Sequence, residues 1–119
     1  MKSQAKYQPT YSIEFFPPKT DEGREKLRTT RNKLAELKPD YISVTFGAGG
    51  STQEGTYDTI KEIKEAGIDA APHLSCIGST RQSIIDMLRR YIDIGVNRIV
   101  ALRGDLPSGM DASLAGEFN

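Results

Sequence analysis

Apolar and polar positions along the chain switch between two periods. Short runs rich in Tyr, Ile, Val and Phe read as strands, and stretches with apolar residues three or four apart read as helices. Residues 11–16 (Tyr-Ser-Ile-Glu-Phe-Phe) form the first strand, ended by Pro17 and Pro18, which cannot donate to a ladder. Thr20 is placed to cap the next helix, with Asp21 and Glu22 set favourably against its dipole. Leu27, Leu34 and Leu37 share one face of that helix, and Pro39 stops it. Residues 41–46 (Tyr-Ile-Ser-Val-Thr-Phe) form a second strand that breaks into Gly47, Ala48, Gly49 and Gly50. Ser51 or Thr52 then caps a second helix with Ile60 and Ile63 on its apolar face. Gly67 closes it in the left-handed conformation, with Ile68 as the accompanying apolar contact.

The third strand spans residues 69–76, although Pro72 argues against a regular central ladder there. Ser79 followed by Gln82 reads as a capping box for a third helix, whose stripe is Ile84, Ile85, Leu88, Tyr91 and Ile92. Gly95 ends that helix, and residues 98–103 hold a fourth short strand running out into Gly104-Asp105-Leu106-Pro107. Residues 1–10 read as a flexible arm and residues 108–119 as a loop. The order is β-α-β-α-β-α-β, an α/β chain with connections suited to parallel right-handed crossovers. Two architectures fit it: an open doubly wound sheet, or about half of a (β/α)8 TIM barrel.

Composition narrows the class. At 119 residues the chain is one domain or part of one. Sixteen basic residues balance sixteen acidic ones, so no net field favours nucleic acid or an anionic membrane. No apolar run reaches the roughly 20 residues of a membrane span. The first ten residues lack the apolar core of a secretory signal. A single cysteine, Cys76, excludes an internal disulfide framework and fits a cytoplasmic protein. With one histidine besides, a soft-ligand metal site is not expected.

The candidate chemistry gathers near the C-terminal ends of the strands, where parallel α/β folds place their sites. Glu14, set beside Phe15 and Phe16, reads as a general acid kept protonated by burial, or else as a carboxylate paired with Arg98 or Arg103. The Gly47 to Gly50 loop offers backbone N–H groups to an anion, or is a tight turn. It lacks the lysine of a P-loop and the spacing of a dinucleotide fingerprint. His73 reads as a cofactor ligand or a structural histidine, and Cys76 as a small apolar residue. Arg103-Gly104-Asp105-Leu106-Pro107 sets a cation and an anion around a glycine at a strand exit.

Four segments together resemble the methylenetetrahydrofolate reductase family. They are Ser12-Ile13-Glu14-Phe15-Phe16-Pro17-Pro18, Ser43-Val44-Thr45-Phe46-Gly47-Ala48, Ala71-Pro72-His73-Leu74 and Ala101-Leu102-Arg103-Gly104-Asp105-Leu106-Pro107. The resemblance implies a (β/α)8 barrel with non-covalent FAD, a reduced nicotinamide (NADH or NADPH) as hydride donor, and a folate substrate in one-carbon metabolism and methionine supply. It makes Glu14 the acid that protonates a folate nitrogen, and puts Thr45, Phe46, Ala48, His73, Arg103, Gly104 and Asp105 against the cofactor. Asp105, with Glu14, would also face the folate. Phe46 departs from the tyrosine of many family members, which removes a hydroxyl contact.

A whole barrel needs about 250 residues. Residues 11–119 are therefore expected to be the N-terminal half, stopping after strand four. Both outer strands would then be open edges. On that basis the chain is expected to be a homo-oligomer, or marginally folded with weak FAD binding and no turnover. A non-catalytic half-barrel that self-associates through its edges is the rival reading. An open doubly wound sheet binding another phosphorylated ligand through the Gly47 to Gly50 loop is the third.

Overall fold

A computed structural model of the chain describes residues 4–46 and 51–104, with the backbone alone at 4, 51 and 52. Four parallel strands alternate with three helices: β1 (Ser12–Phe15), α1 (Asp21–Ala35), β2 (Tyr41–Val44), α2 (Ser51–Glu65), β3 (Ala70–Ser75), α3 (Arg81–Asp93) and β4 (Val100–Leu102). The N-terminal arm carries one 3-10 turn, Gln4–Lys6, for which the sequence pattern gave no sign. The strands lie in sequential order, β1-β2-β3-β4. A doubly wound sheet reverses its order at a switch point. None occurs among the described strands, and right-handed crossovers in sequential order stack every helix on one side. Of the two architectures left open, this one is compatible with part of a (β/α)8 barrel.

Register follows from paired anchors. At the entry to β1 and β2, the Tyr11 N–H donates to Asp40 Oδ2 at 2.9 Å and the Asp40 N–H donates to Tyr11 O at 3.0 Å. At the exit, the Thr45 N–H donates to Phe15 O at 2.9 Å. The pairs between are Ile13 with Ile42 and Phe15 with Val44, then Ile42 with Ala70 and Val44 with Pro72. Side chains alternate across a strand, so these residues and Leu74 share one face. That face meets Ile60 and Ile63 of α2, Tyr91 of α3 and Val96 to form the core. Ile42, Val44, Ile60 and Ile63 are exposed by 1% or less. Burial of each such side chain stabilises the fold by roughly 1.5–3 kcal/mol.

Pro72 is accommodated by the alternation of ladder bonds. Ile42 donates to Asp69 O, and Cys76 donates to Leu102 O at 3.0 Å, so odd positions of this segment bond toward β2 and even ones toward β4. The donor that Pro72 lacks would point to the β4 side, one step before His73 begins that pairing with Val100. No ladder bond is lost there.

Several sequence expectations are corrected in detail. The first helix ends at Ala35, short of Pro39, and Lys38 turns the chain with φ 51°. Leu37 consequently falls beyond the helix and is exposed, while Leu27 and Leu34 pack against the core. Ser51 and Thr52 are the first residues of α2 rather than its cap. The box of α3 is Thr80 with Ser83, not Ser79 with Gln82: Ser83 N–H donates to Thr80 Oγ1 at 3.1 Å, and Thr80 N–H to Ser83 Oγ at 3.0 Å. A turn through Gly78 (φ 71°), with Ser79 N–H bonded to Cys76 O, takes up the intervening residue. In the stripe of α3, Tyr91 is buried and Met87 joins the core, whereas Ile92 is exposed. Gly67 closes α2 as expected, with φ 82° and the Ile68 N–H reaching Ile63 O.

Candidate functional site

The face of the sheet opposite the helices is polar. Alternation and register put Ser12 and Glu14 of β1, Tyr41 and Ser43 of β2, and Ala71, His73 and Ser75 of β3 on this side. Glu14 therefore does not lie buried with Phe15. Phe15 is in the core, while the Glu14 side chain is 54% exposed on the other face. Phe16 lies past the end of β1 and is itself exposed. The expectation of an acid desolvated by two phenylalanines is thus corrected by the two-residue period of the strand.

The partner of Glu14 is also different from the one expected. Glu14 Oε1 lies 3.3 Å from His73 Nε2, and the imidazole is only 11% exposed. Arg98, one of the two suggested partners, sets its guanidinium 4.2 Å from the centre of the Tyr41 ring. Arg103, the other, is exposed at the end of β4 and makes no ion pair among the described residues. The contact from β1 to β3 spans an intervening strand. Glu14 is level with Ser43 and Ser43 with Ala71, and His73 sits one pleat further along the same face. Neighbouring strands are about 4.8 Å apart. Ser43, the small residue of the intervening strand level with Glu14, leaves room for the longer side chains to meet.

At the C-terminal ends of the strands, Thr45 and Phe46 follow β2 and are half-buried. Thr45 O accepts from Thr56 Oγ1 of α2 at 2.8 Å, which ties the strand exit to the helix. Arg103 and Gly104 follow β4. Arg103 O accepts from Ile77 N–H at 3.0 Å and from Ser75 Oγ at 3.4 Å. Gly104 has φ 84°, and a Cβ there would stand 2.2 Å from Ser75 Oγ and 2.6 Å from Ile77 Cγ2. Glycine is thus required twice, by conformation and by space. Ala48, the Gly47 to Gly50 loop and Asp105 lie outside the described residues.

The chain brings together Glu14 and His73, with Thr45 and Arg103 at neighbouring strand ends. Sequence reasoning missed Ser43 and Ser75, the small polar residues that complete this face; the strand period alone would have found them. A cleft of about 300 Å³ lies on the helix side, lined by Arg24 and Arg28 of α1 and by Asp58, Lys61 and Glu62 of α2. Its charges are mutually matched, Arg28 bonding both Glu25 and Glu62, and it is remote from the polar face. Among the described residues no cluster of His, Cys, Asp or Glu is placed to hold a metal ion, and no helix is long and apolar enough to cross a membrane.

A family model described as methylenetetrahydrofolate reductase matches residues 1–119. A 5,10-methylenetetrahydrofolate reductase of Salmonella typhimurium (strain LT2) is 48% identical over 99 residues, covering 82% of this chain and 33% of that protein. The protein of the same name from Escherichia coli (strain K12) is 46% identical over 99 residues, with the same coverage of 82% and 33%. A probable methylenetetrahydrofolate reductase (NADH) of Oryza sativa subsp. japonica is 33% identical over 111 residues, 91% of this chain and 19% of that protein. The chain spans about a third of the length of the bacterial relatives it matches.

Proposed function

Because the chain belongs to the methylenetetrahydrofolate reductase family, we propose that it carries the proton-donating part of a cytoplasmic enzyme that reduces 5,10-methylenetetrahydrofolate to methyltetrahydrofolate. The observation that carries the proposal is the position of Glu14, a half-exposed carboxyl on the polar face of the sheet and near the end of its strand. In this reading residues 11–119 are part of a (β/α)8 catalytic domain whose interior is that polar face.

The residues present suit FAD. Thr45 and His73 offer a hydroxyl and a ring nitrogen to the heteroatoms of a flavin ring, and Arg103 offers an exposed cation at a strand end. Phe46, Ala48, Gly104 and Asp105 complete the proposed set, with Asp105 also facing the folate. When bound, FAD would take hydride from NADH or NADPH and supply it to the folate. The chain's own part is the proton. Reduction of the methylene group to methyl consumes one hydride and one proton. Glu14 gives that proton to the folate nitrogen as the five-membered ring opens to an iminium ion, and ends as a carboxylate. Exposure on the polar face leaves its second oxygen free to meet the substrate.

The test is a purified preparation of the natural, full-length gene product, examined for flavin absorbance and for NADH-dependent folate reduction. Stoichiometric flavin with turnover supports the reading; turnover without flavin, or flavin without folate reduction, counts against it. The rival reading, self-association without catalysis, draws on Ile99 and Leu102, each 40% exposed at the β4 edge. Light scattering that shows concentration-dependent assembly of flavin-free, inactive protein would favour it.

A further inference from the structure

His73 has a second task on this face. We propose that it is a positioning residue for Glu14, holding one carboxyl oxygen through Nε2 so that the proton sits on the other. This inference rests on Glu14 being the proton donor.

The two side chains differ in freedom. Glu14 is 54% exposed, and the described residues give it one ionic partner, His73. His73 is 11% exposed and stands within β3, a strand laddered on both sides. An ordered ring therefore fixes a carboxyl that would otherwise sample several rotamers. Ser43, level with Glu14 on the intervening strand, is a small residue beside the diagonal between them.

The chemistry selects a tautomer. Neutral imidazole carries one N–H, and its location follows from its hydrogen bonds. With Nε2–H donating to Oε1, the carboxyl proton is left on Oε2, away from the histidine. As that proton leaves, negative charge develops on the carboxylate and the Nε2–H bond becomes charge-assisted and stronger. Such a contact favours the transition state over the ground state. The opposite tautomer would accept the carboxyl proton at Nε2 and hold it back from the substrate.

Two measurements test this, both on the natural full-length protein. The first is single-turnover folate reduction in His73→Leu, His73→Gln, Glu14→Gln and the Glu14→Gln/His73→Leu double variant. His73→Leu is expected to slow folate reduction about 10- to 100-fold, the usual cost of a misplaced group. His73→Gln, which keeps an N–H donor, is expected to recover most of that loss. Because His73 is also set against the flavin, the readout is the rate of folate reduction relative to flavin reduction by NADH, at full flavin occupancy. In the Glu14→Gln background His73→Leu should change that ratio by less than about twofold, because its effect through Glu14 has nothing left to act on. An undiminished effect of His73→Leu on the ratio in that background would overturn the proposal. The second is ¹⁵N NMR of the imidazole, assigned to His73 by through-bond correlation to its own backbone. It is expected to show a proton on Nε2, and a proton on Nδ1 alone would overturn the proposal even if the variants failed to fold. A wild-type rate in Glu14→Gln would instead sink the functional reading itself, while the nitrogen spectrum would still report the contact.

Discussion

Glu14 and Phe15 are consecutive in sequence and lie on opposite sides of the sheet, the phenylalanine 6% exposed in the core and the carboxylate open on the polar face. Their substitutions should therefore separate stability from chemistry. Phe15→Ala is expected to cost about 3–5 kcal/mol in urea unfolding, the range for a deleted core aromatic. Glu14→Gln is expected to stay within about 1 kcal/mol, since a half-exposed pair contributes little.

Gly104→Ala and Gly67→Ala should differ although both glycines have positive φ. At Gly67 a Cβ meets nothing within 4 Å, so the expected cost is the conformational one, about 1–2 kcal/mol. At Gly104 the clash with Ser75 and Ile77 is added, and β4 pairs through only three residues. A larger fall in melting temperature for Gly104→Ala than for Gly67→Ala is the expected result.

Thr80→Ala is expected to cost about 1 kcal/mol, the usual value of an N-cap. Ser79→Ala should lie within about 0.5 kcal/mol of wild type, as surface substitutions generally do. Thermal unfolding of the two variants would locate the start of α3 directly.

The pair between α2 and α3 sets an acid limb. Arg90 donates to both oxygens of Glu54, at 2.7 and 3.0 Å, and its guanidinium lies 4.1 Å from the centre of the Tyr57 ring. The hydrogen bonds from Arg90 hold the Glu54 carboxyl below its usual value near 4.5, outweighing an opposing push from burial. A carboxyl depressed in the folded state adds stability above its unfolded value, and that stability is lost as pH falls through the folded one. Arg90→Gln is expected to flatten the loss of stability below about pH 4.5, while costing less than about 1 kcal/mol at neutral pH. Urea midpoints measured from pH 7 down to 3 would check it.

How much of this was legible in the sequence depended on the range of the interaction. The β-α order, the Thr20 cap and the Gly67 terminus are local, set by residues a few positions apart, and the sequence carried them. The Thr80 box was displaced by one residue because the preceding turn, through Gly78, uses a conformation that competes with an earlier helix start. The partner of Glu14 was not legible. Arg98 and Arg103 were chosen by charge, whereas the contact is decided by register across three strands. Ser43 matters there for being small, which no charge pattern reveals. Pro72 was read as a weakness because its ladder neighbour could not be known before β4 was placed.

The central claim is that Glu14 supplies the proton in folate reduction, and its most direct test is a single-turnover measurement on the pre-reduced full-length enzyme. Glu14→Gln is expected to slow folate reduction about 100-fold or more, as loss of a general acid does. Flavin reduction by NADH should change by less than about threefold, since that step needs no proton from Glu14. Folate reduction by Glu14→Gln at the wild-type rate would contradict the account.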